Sequence, residues 1–259
     1  SKTISTPIMK VDLENDADVV SARIVKGRLE KTLLGEVAEH IRIRILPKFG
    51  QHEIVVKLDA DAIQAMKLDI DAEVVGARIM ASPLASKLKL RDKQFLIRRE
   101  GQMELSITLE ADDDKKVKDR AKEDAYTHLL TQLTQFRTLL PQVIISGIPS
   151  VSRAIINDTG AGRYELVVEG NDLQAVMGTD GVKGHSTSSN HVMEVEKTLG
   201  IEAARQCIMD EIHKTMGAHG MHIDMRHIAL LADVMTYKGE VLGICLLYTS
   251  DAADDSLRV

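Results

Sequence analysis

The sequence predicts an α+β protein. It reads as a helix-rich module (strand, long helix, strand, helical hairpin) interrupted by an inserted β-α-β-β-α-β module. Three observations predict this. Residues 190–244 carry apolar residues at helical spacing, broken by turn signals. Residues 94–99 and 103–110 alternate apolar and polar around Glu100-Gly101, a hairpin signal. Strand-like residues 6–13 and 164–168 stand on either side of the inserted pattern, placed to pair around it.

Taken in order, Thr6 to Leu13 reads as a strand, with Pro7 near its start where a missing donor is tolerated. Asn15 or Asp16 is expected to cap a long helix reaching Ile41, with a core stripe of Ala22, Val25, Leu29, Leu33, Val37 and Ile41. Arg23, Lys26, Arg28 and Lys31 decorate its other sides. Such a charge run ordinarily solvates a face; contact with a nucleic-acid backbone or an acidic subunit is the sharper reading.

Glu53 to Asp59 reads as a strand, and Ala60 to Met80 as helix in two short pieces. The charged run from Asp112 to Asp124 is expected as a loop entering a helix that buries Ala125, Leu129, Leu133 and Phe136 and stops at Pro141. Strand character returns at Val143–Ile145 and Val151–Ile156, which gives the order β-α-β-β-α-β. Tyr164–Val168 is a further strand and Asn171–Met177 a short helix. Gly178–Ser189 is Gly/Ser-rich and reads as a loop; its glycine spacing fits no phosphate-binding fingerprint.

The helical stretch then places Ile201, Ala204, Ile208, Ile212 and Met216 on one face. Gly217 or Gly220 is expected to end that helix and Asp224 to cap the next. The last helix carries two stripes, Ile228-Leu231-Met235 and Leu230-Val234, so it is expected to be buried on more than one side.

Composition narrows the function classes. With 259 residues there is room for one large domain or two ordinary ones. Aromatics are 3% with no Trp, so the core must be aliphatic. A net charge of −6 disfavours a free-standing nucleic-acid binder, though not a chain that shows a small basic surface within an assembly. Two cysteines give neither a disulfide framework nor zinc spacing, which suits a reducing compartment. No apolar run reaches membrane-spanning length, so no membrane is expected as a partner. The chain opens on Ser1, from which a fragment is expected. Residues 245–259, with CLLYTSDAAD, resemble a translated sequencing adapter and are set aside from the fold as an expected artefact.

Few residue groups suggest chemistry. Asp59-Ala60-Asp61 sits at a strand-to-helix junction, where capping is the default role. Asp69-Ile70-Asp71 and Asp112-Asp113-Asp114 are likewise no metal motif. Six of nine histidines lie between His185 and His227, but no Cys or carboxylate completes a zinc spacing around His219, His222 and His227, and Gly220 interrupts them. No serine elbow, Cys–His pair or phosphate loop is present. The expected inventory is therefore no catalytic, cofactor-binding or metal residue. Arg226, His227 and Lys238 remain as a group of basic residues near the helical hairpin. A salt bridge between helices is one reading of Arg226.

LGIEAAR, the HGM-x-x-D-x-RH run at His219–His227, LLADVMTYKGEVLGI, and ISTPI and VKGRLEKTLL near the start resemble the largest-subunit family of eukaryotic RNA polymerase III. The resemblance runs from about Lys2 to Ile244. It implies that residues 1–44 and 160–244 form a discontinuous cleft module and that 45–158 form an inserted jaw module. It also implies a nuclear enzyme that makes small RNAs such as transfer RNA and 5S RNA on a DNA template. The family's magnesium aspartates sit in a D-F-D-G-D motif that this sequence lacks. Magnesium and zinc are implied for the intact subunit and not for this piece, which is expected to be inactive alone. Implied partners are the second-largest subunit, smaller subunits including a zinc-ribbon subunit at the jaw, and downstream DNA. The resemblance places the helical hairpin in the cleft wall beside that DNA, which makes Arg226, His227 and Lys238 candidate DNA-facing residues, since phosphate contact needs only a donor of positive charge at the right distance. Two other readings remain: a free-standing α+β interaction module, and a metal-dependent hydrolase using the histidines.

Overall fold

A computed structural model describes residues 4–46, 51–82, 95–99, 103–109, 130–131, 133–160 and 162–243. The expected turn at Glu100-Gly101, the charged run 112–124, Ala125, Leu129 and residues 245–259 lie outside the described residues. The α+β class holds. The chain folds as two compact units. One takes the described residues from 4 to 29 and from 150 to 243, and the other those from 30 to 149.

The first unit is built on a four-stranded antiparallel sheet. Its strands are β1 (Ile8–Asp12), β8 (Val151–Gly160), β9 (Arg163–Gly170) and β10 (Ser188–Ser189), in the order β10-β1-β9-β8. β1 pairs with β9 from Ile8↔Glu169 to Asp12↔Glu165, so the strands flanking the insertion meet as their order in the sequence predicts. Side chains alternate across the sheet. Met9, Val11, Ala154, Leu166 and Val168 are fully buried on one face, while Ile8 and Ile155 are exposed on the other. Helix α1 (Val19–Leu29) lies along β8 and β9 and adds Ala22, Val25 and Leu29 to that core.

Helix α1 departs from the sequence reading. Its cap is Asp18, whose carboxylate accepts from the amides of Val20 (2.9 Å) and Ser21 (3.3 Å), and it ends at Leu29 rather than Ile41. The next residues join the second unit as β2 (Thr32–Leu33), a single helical turn α2 (Leu34–Val37) and β3 (Ala38–Leu46). The reason is visible in HIRIRIL, 40–46. Isoleucine alternates with arginine there at the strand period, and that pattern wins over the weaker helical spacing once β4 (Gln51–Leu58) offers a partner.

In the second unit β4, β5 (Phe95–Arg99) and β6 (Glu104–Leu109) form the split arrangement. β6 lies between β4 and β5 and is antiparallel to both. The fourth position is taken by β3, giving the order β3-β4-β6-β5. The strands expected to close this module go elsewhere. β7 (Ile144–Ser146) pairs with β2, and Val151–Ile156 belongs to β8 in the first unit. Helices α3 (Ala60–Ala65), α4 (Ala72–Ala81) and α5 (residues 133–139) join one core with Ile54, Val56, Leu105 and Ile107. Asp59 does cap α3, accepting from the amides of Asp61 and Ala62. Gly147 has φ +84°, and a Cβ there would fall 2.0 Å from the Glu30 carbonyl oxygen, so only glycine fits.

The C-terminal helices of the first unit are α6 (Leu173–Met177), α7 (Val192–Leu199), α8 (Ile201–Ala218) and α9 (Met225–Thr236). Gly220, not Gly217, ends α8. It has φ +72°, and the amides of Gly220 and Met221 return to the carbonyls of Gly217 and Met216, satisfying groups the helix end leaves open. Asp224 caps α9 through the Arg226 amide at 2.9 Å.

Burial of α9 corrects the sequence reading. Ile228, Ala232 and Thr236 are buried, but Leu230 is 64% exposed and Val234 44%. Only one of the two stripes meets the rest of the unit. Ile228→Ala should therefore cost about 2–5 kcal/mol, the price of a cavity. Leu230→Ala should stay within about 0.5 kcal/mol, as exposed sites do. Equilibrium urea unfolding of the two variants checks this.

Candidate nucleic-acid interface

The three sequence-nominated residues all lie on or just beyond α9. Arg226 and His227 occupy its first turn, and Lys238 follows its end. Twelve residues at a rise of about 1.5 Å separate Arg226 from Lys238 by roughly 18 Å, so the structure does not gather them at one point. All three are exposed.

Each has a distinct local setting. The Arg226 side chain is 91% exposed, with Nε 3.5 Å from Asp224 Oδ1, the helix's own cap. Among the described residues it does not bridge helices. Its guanidinium keeps donors for an added anion. The Lys238 ammonium sits 5.6 Å from the ring centre of Tyr237, a cation–π distance that keeps the charge at the surface. The turn carrying Lys238 is tied back to the unit. The Val241 amide donates to Glu196 on α7 (3.3 Å), and the Leu242 amide to the Met235 carbonyl (2.9 Å).

The inter-helix ion pair of this region was not legible in the sequence. Arg205 of α8 donates through Nε to Asp233 Oδ1 of α9. Asp233 holds the guanidinium pKa above its ordinary value, with Glu202 adding to the effect. The signal would have been an Arg on one helix and an Asp on the next, but only the crossing of the two helices reveals that they meet.

The histidine cluster does not assemble. His219 closes α8, while His222 and His227 lie in and after the turn to α9, all exposed. Among the described residues no three His, Cys, Asp or Glu side chains could share a metal ion. Among them, too, no helix is long and apolar enough to cross a membrane.

Beside α8 lies a cavity of about 410 Å³, floored by Ile8, Leu173, Val195, Leu199 and Ala203 and flanked by Cys207. The Cys207 thiol donates to the Ser189 carbonyl at 3.2 Å. Burial, then the carboxylates of Glu211 and Asp210, push its pKa from 9.0 to about 11. That describes an inert packed thiol.

The profile of the family described as RNA polymerase Rpb1, domain 5, matches residues 1–247. The chain belongs to that family. It is 45% identical over 247 residues to DNA-directed RNA polymerase III subunit RPC1 of Homo sapiens, an alignment covering 94% of this chain and 16% of the relative. The Saccharomyces cerevisiae protein of that description is 43% identical over 259 residues, 100% of this chain and 17% of the relative. The Dictyostelium discoideum one is 43% identical over 247 residues. The chain thus spans about a sixth of the length of these relatives. The Rpb1 domain 5 match takes in α8 and α9 with all three nominated residues.

The thiol gives a pH prediction. Its pKa is raised on folding, so the unfolded chain releases the proton first as pH climbs. The stabilising contribution is intact below pH 9.0 and declines as pH approaches about 11. At pH 9, iodoacetamide should label Cys207 at least about tenfold more slowly in the folded chain than in urea, read site by site by mass spectrometry. Equal rates would contradict the burial.

Proposed function

We propose that this chain is a jaw and cleft-wall portion of the largest subunit of a DNA-directed RNA polymerase III, a nuclear enzyme that makes small RNAs such as transfer RNA and 5S RNA. One observation carries the reading. Identity of 43–45% runs along nearly the whole chain to proteins of that one description in human, yeast and Dictyostelium. In this reading residues 1–44 and 160–244 are the cleft module and 45–158 the jaw; of these, residues 30–44 fold with the second unit and 150–158 with the first. The partners are the second-largest and smaller subunits, including a zinc-ribbon subunit at the jaw.

The chain's own part is mechanical and electrostatic. Nucleotidyl transfer needs carboxylates gathered on magnesium to stabilise the attacking and leaving oxygens. The D-F-D-G-D motif that supplies them in the family is not in this sequence. Magnesium and zinc belong to other parts of the intact subunit. What this chain offers DNA is Arg226, His227 and Lys238, held at the surface by the α9 cap, the helix itself and the turn fastened to Glu196. Arg226 and Lys238 contact phosphate, which positions a duplex without reading its sequence.

The purified chain should extend no RNA on a primed template with magnesium, and the DNA contact is tested in the assembled enzyme. Arg226→Glu should flatten the slope of log affinity against log salt by about one unit. Templated synthesis by the chain alone would refute the mechanical role, and an unchanged slope would refute the phosphate contact.

A further inference from the structure

Arg226 and Asp233 are seven residues apart on α9, two turns, and therefore lie on the same side of the helix about 10 Å apart. Asp233 thus places a carboxylate on the Arg226 side of the helix, its side chain 53% exposed. An unscreened carboxylate there would repel the phosphate that Arg226 attracts. The partner that answers it comes from the neighbouring helix. Arg205 is only 31% exposed, and its Nε points at Asp233 Oδ1. Of the other carboxylates near this face, Asp224 is already engaged as the helix cap and against Arg226, and Glu240 lies exposed two residues beyond Lys238.

We propose that Arg205 is a positioning residue for nucleic-acid contact: it neutralises and holds Asp233, leaving the outer side of α9 cationic. Arg205 itself touches no nucleic acid. It acts through Asp233, and its role rests on the reading of Arg226 as a phosphate ligand.

This role differs in a measurable way from simply tying α8 to α9. A structural tie is broken equally by losing either partner or both. A charge mask is needed only while Asp233 is charged. The test uses the assembled enzyme with each substitution introduced into its largest subunit, and a fluorescent 20-base-pair DNA duplex at about 20 mM salt, where screening is weak. Arg205→Gln should weaken binding by about two- to fivefold, since a charge near 10 Å is worth about a factor of two in water and more near a protein surface. Asp233→Asn should bind at least as tightly as the parent. The double variant Arg205→Gln/Asp233→Asn should recover the parent's affinity even if its thermal midpoint stays low. A double variant as weak as Arg205→Gln would overturn the proposal. Arg226→Glu separates the two claims. If it weakens binding while the double variant fails to recover, only the masking role falls. If it leaves binding unchanged, or the parent binds nothing, the phosphate reading falls and the masking role with it.

Discussion

The amide of Ile8 donates to the Asn190 side-chain Oδ1 at 2.9 Å, across 182 residues of sequence. Asn190 answers twice more: its own amide donates to the Ile8 carbonyl (3.1 Å) and its side-chain amide to the Thr6 carbonyl (3.1 Å). One residue thereby ties the first strand to the entrance of α7. Closing a flexible loop of that length costs about 4–5 kcal/mol, more than such hydrogen bonds return at about 1 kcal/mol each. The β1–β9 ladder, with Met9, Val11, Leu166 and Val168 buried against α1, supplies the rest. Everything that α7, α8 and α9 present to solvent stands on this closure.

From it follows the character of the proposed interface. The helices are fixed to the sheet through β10, where Cys207 of α8 bonds Ser189 and Asn190 leads into α7. They are fixed to each other through Arg205–Asp233 and the buried stripe of Ile228 and Ala232. What is left on the outer side of α9 is polar charge at both ends, with exposed Leu230 and Val234 between. A fixed frame carrying spaced cations suits the holding of a phosphate backbone.

Much of this was readable from the chain. Helical spacing at Ile201, Ala204 and Ile208, the Gly220 stop and the Asp224 cap are local signals, and local chemistry decided them. The pairing of β1 with β9 followed from the order of elements. The failures lie where two local signals compete or where contact is non-local. Residues 30–46 carry a plausible helical spacing and a true strand alternation, and the partner strand β4 decided between them. Ser188–Ser189 looked like loop and became β10 because Met9 and Lys10 were at hand. The second stripe of α9 suggested burial, yet among the described residues nothing covers Leu230, which is 64% exposed. The charge state of the α9 face was legible only in part. Arg226 and Lys238 stand out in the sequence, but the residue that answers Asp233 lies 28 positions earlier, on another helix.

Native-state hydrogen exchange reads whether β1, β9 and the Asn190 segment close the first unit cooperatively. With cooperative closure the amides of Met9–Asp12 in β1 and of Glu165–Val168 in β9 are protected to the same free energy, and Asn190→Ala lowers both together. A β1 that exchanges rapidly while β9 stays fully protected would contradict that closure.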